Sequence, residues 1–213
     1  MESFYYFKKI FPKIDKGEVL DFGFGNSPFL SPNIDDPDNP RFNHQNYTGL
    51  DTNQFYIDTS KPIFPQTNFY HIDIKNQVFP TREKFYDFSI SYKGLTNCDI
   101  DTFFSVIRFM YEQTKKGGYL ILNYLDENDK IIVDYYTDLR TREFGSCDDI
   151  RTPKWKYLID NYISYENLPG KYFNLFLNQN YLIKELDGWN IKFKKSYHVI
   201  PDTFYSYMFI EKF

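Results

Sequence analysis

Alanine is absent from the chain, and only two cysteines, three methionines and two tryptophans occur. Residues with AT-rich codons fill the gap: Phe, Tyr, Asn, Lys and Ile abound, with 23 Phe and 20 Tyr among 213 residues. An AT-rich genome accounts for this excess without any functional demand, so aromatic residues are weak markers of a site. Cys98 and Cys147 have no metal-ligand spacing. Two thiols in a chain of this length fit a reducing compartment. His44, His71 and His198 are scattered, and no Cys or His cluster supports a metal. No apolar run approaches the ~20 residues of a membrane-spanning helix. Met1 to Lys9 lacks the apolar core and cleavage site of a leader, so a soluble, cytoplasmic protein is expected. The net charge of −4 excludes the overall basic footprint of a strong non-specific nucleic-acid binder but leaves a local basic patch open.

What is present organises around Val19-Leu20-Asp21-Phe22-Gly23-Phe24-Gly25-Asn26. A short apolar run ending in an acid reads as a buried parallel strand, and the alternate glycines as the tight turn that leaves it. Glycine lets main-chain N–H groups approach a ligand, because no Cβ intervenes. Prolines 28, 32, 37 and 40 exclude a full crossover helix after this strand, so a turn or two around Asn26–Ser31 and then a loop are expected. Asp35, Asp36 and Asp38 lack EF-hand spacing and read as part of a solvated loop.

Further strands are expected at Tyr47–Asp51, Asn68–Asp73, Phe85–Tyr92 and Tyr119–Tyr124, with connections kept short or loop-like by Pro62, Pro65 and Pro80. Residues 1–16 read as a helix covering one edge of the core. Asp99–Lys115 reads as an amphipathic helix, with Lys115 and Lys116 at the negative end of its dipole and Gly117-Gly118 as its stop. Residues 129–144 read as helical. Leu175, Phe176, Leu182, Ile183 and Leu186 mark another helix, and Trp189–Tyr197 with Thr203–Phe213 a closing antiparallel hairpin around Pro201-Asp202.

Three successive strands end in acids: Asp21, Asp51 and Asp73. Ligands of open parallel sheets bind at the carboxyl ends of the strands, where the strand order switches. Asp51 follows Gly25 by about 26 positions, close to the ~20 of the dinucleotide fingerprint, and suits ribose hydroxyls. A nucleoside-containing ligand is implied.

The order Asp21-x-Gly23-x-Gly25, Gly49-Leu50-Asp51, Ile72-Asp73, Tyr86-Asp87-Phe88-Ser89-Ile90-Ser91 and Lys116-Gly117-Gly118-Tyr119-Leu120 resembles the class I S-adenosylmethionine-dependent methyltransferases. The resemblance covers most of residues 17–125 and 172–213. It implies one α/β domain over residues 1–213: a Rossmann-like, mostly parallel seven-stranded sheet with a reversed C-terminal hairpin strand and helices on both faces. It implies S-adenosylmethionine as cofactor, bound by Asp21, Gly23, Gly25 and Asn26, with the two glycines flanking its methionine part. Asp51 would then hold the ribose, Asp73 and Ile74 would meet the adenine, and Ser91 and Tyr92 would lie beside the methyl.

A sulfonium methyl needs no metal, since placing the acceptor in line supplies several kcal/mol. Tyr92 and Lys93, directly after the fourth strand, are the candidate catalytic residues. Tyr92 reads either as a general base or as an aromatic lining the cleft. Lys93 reads as a contact for an anionic acceptor or as a solvated lysine. His44, in a loop, is within reach of the cleft, whereas His71 reads as structural. Residues 126–170 read as a substrate-side insert. Its Arg140, Arg142, Arg151, Lys154, Trp155 and Lys156 suit a phosphate backbone and a stacked base, or else form a solvated face balanced by acids. The acceptor is therefore a small molecule or RNA, for instance a cap, and a turnover-free binding or stimulatory subunit is the alternative.

Overall fold

Strands buried on both sides form the centre of the chain. The computed structural model describes residues 7–26, 29–30, 32–33, 36–40, 42–74, 85–92, 94–95, 98, 100–126, 176–177, 179–198 and 206–213. β1 (Val19–Phe22), β4 (Tyr47–Asp51) and β6 (Tyr86–Ser91) carry few charges and are almost wholly buried, as strands flanked on both faces must be. Between the first two, β2 (Pro32–Asn33) and β3 (Asp36–Pro40) pair antiparallel as a separate two-stranded sheet. The expected loop therefore gives way to a small ribbon, while no crossover helix occurs there among the described residues.

The main sheet runs β5-β4-β1-β6-β7-β10-β9, with β5 at Asn68–His71, β7 at Thr114–Asp126, β9 at Ile191–His198 and β10 at Ser206–Lys212. β5, β4, β1, β6 and β7 are mutually parallel. β10 lies antiparallel between β7 and β9, so it is the reversed strand of the expected seven. β8 (Phe176–Leu177) pairs with the end of β7, off this path. Phe176 was expected in a helix with Leu182. Instead that helix, α3, is confined to Gln179–Glu185.

The alternation of side chains sorts the core into two layers. Leu20, Phe22, Leu50, Leu120, Leu122, Met208 and Ile210 face α2 (Ile100–Gln113) and α3. Val19, Ile90, Ile121 and Phe209 face the other way, against Phe7, Ile14 and Ile57. Helices thus cover both faces. Residues 7–10 are helical and 12–16 are turns, so among the described residues the expected helix ends before residue 16. Ile57 belongs to α1 (Gln54–Ile63), which corrects the loop expected from Pro62. Asn53 caps its start by accepting the Phe55 amide at 3.0 Å, and Pro62 sits in the last turn, where its missing amide costs one bond.

α2 ends two residues before the expected Lys115. The Thr114 hydroxyl donates to Met110 O at 2.6 Å, and the chain passes directly into β7, leaving Gly117-Gly118 inside a strand. Lys212 of β10 supplies the positive charge at the helix terminus, donating to Tyr111 O at 2.7 Å and Thr114 O at 2.9 Å. Burial lowers the Lys212 pKa, with Glu112 opposing. Lys115 turns aside to Asp87 at 2.9 Å. Residues 127–175, which include the expected insert and helix at 129–144, and the Pro201-Asp202 turn lie outside the described residues.

Phe209 joins the reversed strand to the N-terminal segment. It is 1% exposed and meets Phe7 and Phe11 edge-on at 6.3 and 5.4 Å. Phe209→Ala should cost about 3–5 kcal/mol, read by urea unfolding. A loss below about 1 kcal/mol would show that this layer does not hold the strand.

Candidate functional site

The strand order reverses direction at β1: β4 lies on one side and β6 on the other. The chain leaves β1 through Gly23 (φ 71°) and Gly25 (φ 52°), in the left-handed region that disfavours other residues. The Gly23 amide donates to Leu50 O at 2.7 Å. A Cβ on Gly23 would stand 2.5 Å from Gly94 Cα, and one on Gly94 would stand 2.4 Å from Phe22 O. The loops after β1 and β6 therefore touch backbone to backbone, which only glycine permits at both places. A Cβ on Gly25 would meet nothing within 4 Å, so that side of the turn is open.

Asp51, at the end of β4, fixes this turn. Its Oδ2 accepts the Gly25 amide at 3.0 Å, and its Oδ1 accepts the Asn53 amide at 2.8 Å. One carboxylate thus joins the Gly-rich turn to the start of α1. Each oxygen keeps a second lone pair for a further donor.

Asp21 lies 1% exposed opposite Gly49, and Tyr47 lies two residues earlier on the same face of β4. The Tyr47 hydroxyl donates to Asp21 Oδ2. Asp21 Oδ1 has no hydrogen-bond partner among the described residues. Burial, with a smaller push from the Asp51 charge, raises the Asp21 pKa to about 7 against the opposing effect of the Tyr47 bond. Burial first, then Asp21, raises Tyr47 well above its usual range. Ser91, ending β6, is 1% exposed, and its Oγ also lacks a partner among the described residues.

Asp21, Gly23, Gly25, Asp51 and Ser91 thus gather at the carboxyl ends of three adjacent strands. Asn26 is exposed in the turn. Asp73 forms a bridge pair beyond β5, and Ile74 packs on the α2 side of the core. Tyr92 is half-buried, and its ring meets Phe29 at 5.5 Å. Lys93 lies outside the described residues. His44 contacts Leu30 O at 3.3 Å and the Phe64 ring at 5.3 Å, and His71 contacts Thr52 O at 3.0 Å. Sequence reasoning missed Tyr47, Asn53 and Gly94. Gly94 follows a predicted strand and Asn53 precedes a helix, both readable signals, whereas Tyr47 is one of 20 tyrosines.

No protein-family model and no curated protein sequence matches the chain. Solved structures do. A 1,6-didemethyltoxoflavin-N1-methyltransferase from Burkholderia thailandensis, solved with 1,6-didemethyltoxoflavin and S-adenosylhomocysteine, matches with TM-score 0.63 at 11% identity, over 99% of this chain and 76% of that one. Magnesium protoporphyrin IX methyltransferase from Synechocystis PCC 6803, with S-adenosylhomocysteine, matches with TM-score 0.63 at 11% identity, over 100% and 81%. An S-adenosylmethionine-dependent methyltransferase from Methanosarcina mazei matches with TM-score 0.62 at 14% identity, over 95% and 96%. Across such neighbours the chain spans from 47% to 96% of the other protein's length, about half of some and nearly all of others. At these identities the likeness establishes the fold: it is that of the class I, Rossmann-like S-adenosylmethionine-dependent methyltransferases.

The raised Asp21 pKa has a defined consequence for stability. Folded Asp21 holds its proton up to about pH 7, whereas unfolded Asp21 loses it near 3.8. The folded state therefore binds more protons in that window, and this group's contribution falls as pH rises through it. Asp21→Asn, which mimics the protonated form, should gain stability relative to the native chain between pH 5 and pH 8. Urea unfolding at both pH values checks this, and an unchanged difference would refute the assignment.

Proposed function

We propose that the protein is an S-adenosylmethionine-dependent methyltransferase that acts on a small-molecule acceptor. The observation that carries the reading is the Gly23–Gly25 turn, open on one side and held by the Asp51 carboxylate at the strand-order switch. Two orphaned, buried polar atoms adjoin it, Asp21 Oδ1 and Ser91 Oγ. Donors and acceptors left dry in this way cost stability unless a ligand answers them. The residues therefore fit a cofactor that carries an ammonium group and a ribose.

When bound, the cofactor supplies a methyl group on a sulfonium, which transfers without metal or covalent help from the protein. The chain's task is then to bind, align and exclude water. In this reading the Gly23–Gly25 turn brings backbone against the methionine part. The spare lone pairs of Asp51 accept the ribose hydroxyls, while its bonds to Gly25 and Asn53 keep the carboxylate oriented before the cofactor arrives. Asp73 and Ile74, beyond β5, flank the adenine. Asn26, exposed in the turn, is free to close over the cofactor.

Tyr92 follows Ser91 at the end of β6, and its ring rests on Phe29. That packing favours alignment of the acceptor over proton transfer. Lys93 is the next residue and the candidate contact for an anionic acceptor. The small-molecule class draws on neighbours named for 1,6-didemethyltoxoflavin and magnesium protoporphyrin IX. An RNA acceptor would draw on the basic stretch at 140–156 instead.

Titration calorimetry with S-adenosylmethionine tests the reading. The native chain should bind. Asp51→Ala should bind at least about tenfold more weakly, a loss of ~1.4 kcal/mol or more, with an unchanged circular dichroism spectrum. Equal affinity in the two would remove Asp51 from the site. No binding by the native chain would remove the proposal itself.

A further inference from the structure

A cavity lies at the end of the sheet away from the Gly23–Gly25 turn. It measures about 380 Å³, in the range of small-ligand sites. Gly17, which leads into β1, Asp87 and Phe88, which open β6, and Lys116 to Tyr119, which open β7, line it. β1, β6 and β7 are adjacent and parallel. The cavity therefore sits at their amino ends, whereas Gly23, Asp51 and Ser91 stand at the carboxyl ends. It is separate from the cofactor site.

Its chemistry is cationic. Lys13, Lys16 and Lys116 line it, all three exposed. None forms an ion pair with a described residue, unlike Lys8, which meets Asp15 at 2.8 Å, and Lys115, which meets Asp87 at 2.9 Å. The one acidic side chain in the lining is already engaged: Asp87 Oδ2 accepts the Glu18 amide at 2.9 Å, and Oδ1 accepts Lys115 Nζ. Three exposed lysines thus face a single lining carboxylate, which Lys115 already pairs.

The wall behind them is apolar. Phe88 and Tyr119 stack with centroids 6.1 Å apart and planes 16° apart, and Phe11 lies 4.7 Å from Tyr119. Low-dielectric walls focus the field of like charges into a concavity and raise the local concentration of counter-ions. Gly117 (φ 77°) adds open backbone at the rim, since a Cβ there would meet nothing within 4 Å.

We propose that this lysine-lined cavity is an accessory binding site for a ligand carrying at least two linked phosphoryl groups. Three point charges suit a diphosphate better than a single carboxylate, and lysine binds phosphate as a point charge without demanding a fixed fork geometry. The phosphates come either from a free organic diphosphate or from a nucleic-acid strand passing over the lower edge of the sheet.

Calorimetry at low ionic strength tests the site with inorganic pyrophosphate and, separately, with a short oligouridylate. The Lys13→Glu/Lys16→Glu/Lys116→Glu variant should lose about tenfold or more in affinity for whichever probe binds. The corresponding triple Lys→Arg variant should retain binding and serve as the folding control, alongside thermal melts of both. Pyrophosphate binding lost in the Glu variant supports a free diphosphate ligand, and oligouridylate binding alone, lost in the same way, supports a strand. Absence of binding by both probes, or equal binding by the native chain and the Glu variant, overturns the proposal. The variants leave Asp21, Gly25 and Asp51 untouched, so S-adenosylmethionine affinity is an independent readout that separates this site from the cofactor reading.

Discussion

The Asp51 carboxylate ties three pieces of chain together at the carboxyl edge of the sheet. It ends β4, takes the Gly25 amide from the turn after β1, and takes the Asn53 amide at the start of α1. Without it, the turn would present unpaired amides and the helix would lose an anchor for its first residues. The same carboxylate acts at a distance on Asp21, where its charge adds to burial in holding the proton. Much of the candidate site's geometry thus follows from one acid at one strand end.

That constraint works only because the sheet brings β4 beside β1. Parallel pairing sets Asp21 opposite Gly49 and leaves Tyr47 one step back on the same face, where its hydroxyl reaches the buried acid. The touching Gly23 and Gly94 backbones then draw the end of β6 towards the turn, so that Ser91 joins the group. The two core layers hold this arrangement from both sides, and Lys212 fastens the reversed strand to the end of α2.

The sequence made some of this legible and hid the rest for physical reasons. β4 reads off at its observed bounds because Tyr47 to Leu50 form a short uncharged run that ends in an acid and is bracketed by the polar Asn46 and Thr52. Asp21, Gly23, Gly25 and Asp51 stand out because strand ends and tight turns restrict residue choice. α1 was hidden by Pro62, a residue that breaks helix interiors but costs little in a last turn. The end of α2 was hidden because its partners are distant: Lys212 is about a hundred positions away in the chain, and Ser89 shares a 2.7 Å hydroxyl contact with Thr114. Tyr47 was hidden by composition, since its role rests on register and not on its identity among so many tyrosines.

The open glycine turn and the two orphaned polar atoms stand together at the carboxyl edge of the sheet, and a distinct lysine-lined cavity lies at its amino edge. The proposed occupant of the carboxyl-edge site is S-adenosylmethionine. Native mass spectrometry of the purified full chain, before and after incubation with excess S-adenosylmethionine, addresses it most directly. A single added mass equal to S-adenosylmethionine or S-adenosylhomocysteine is the expected result. A chain that stays bare under both conditions would contradict it.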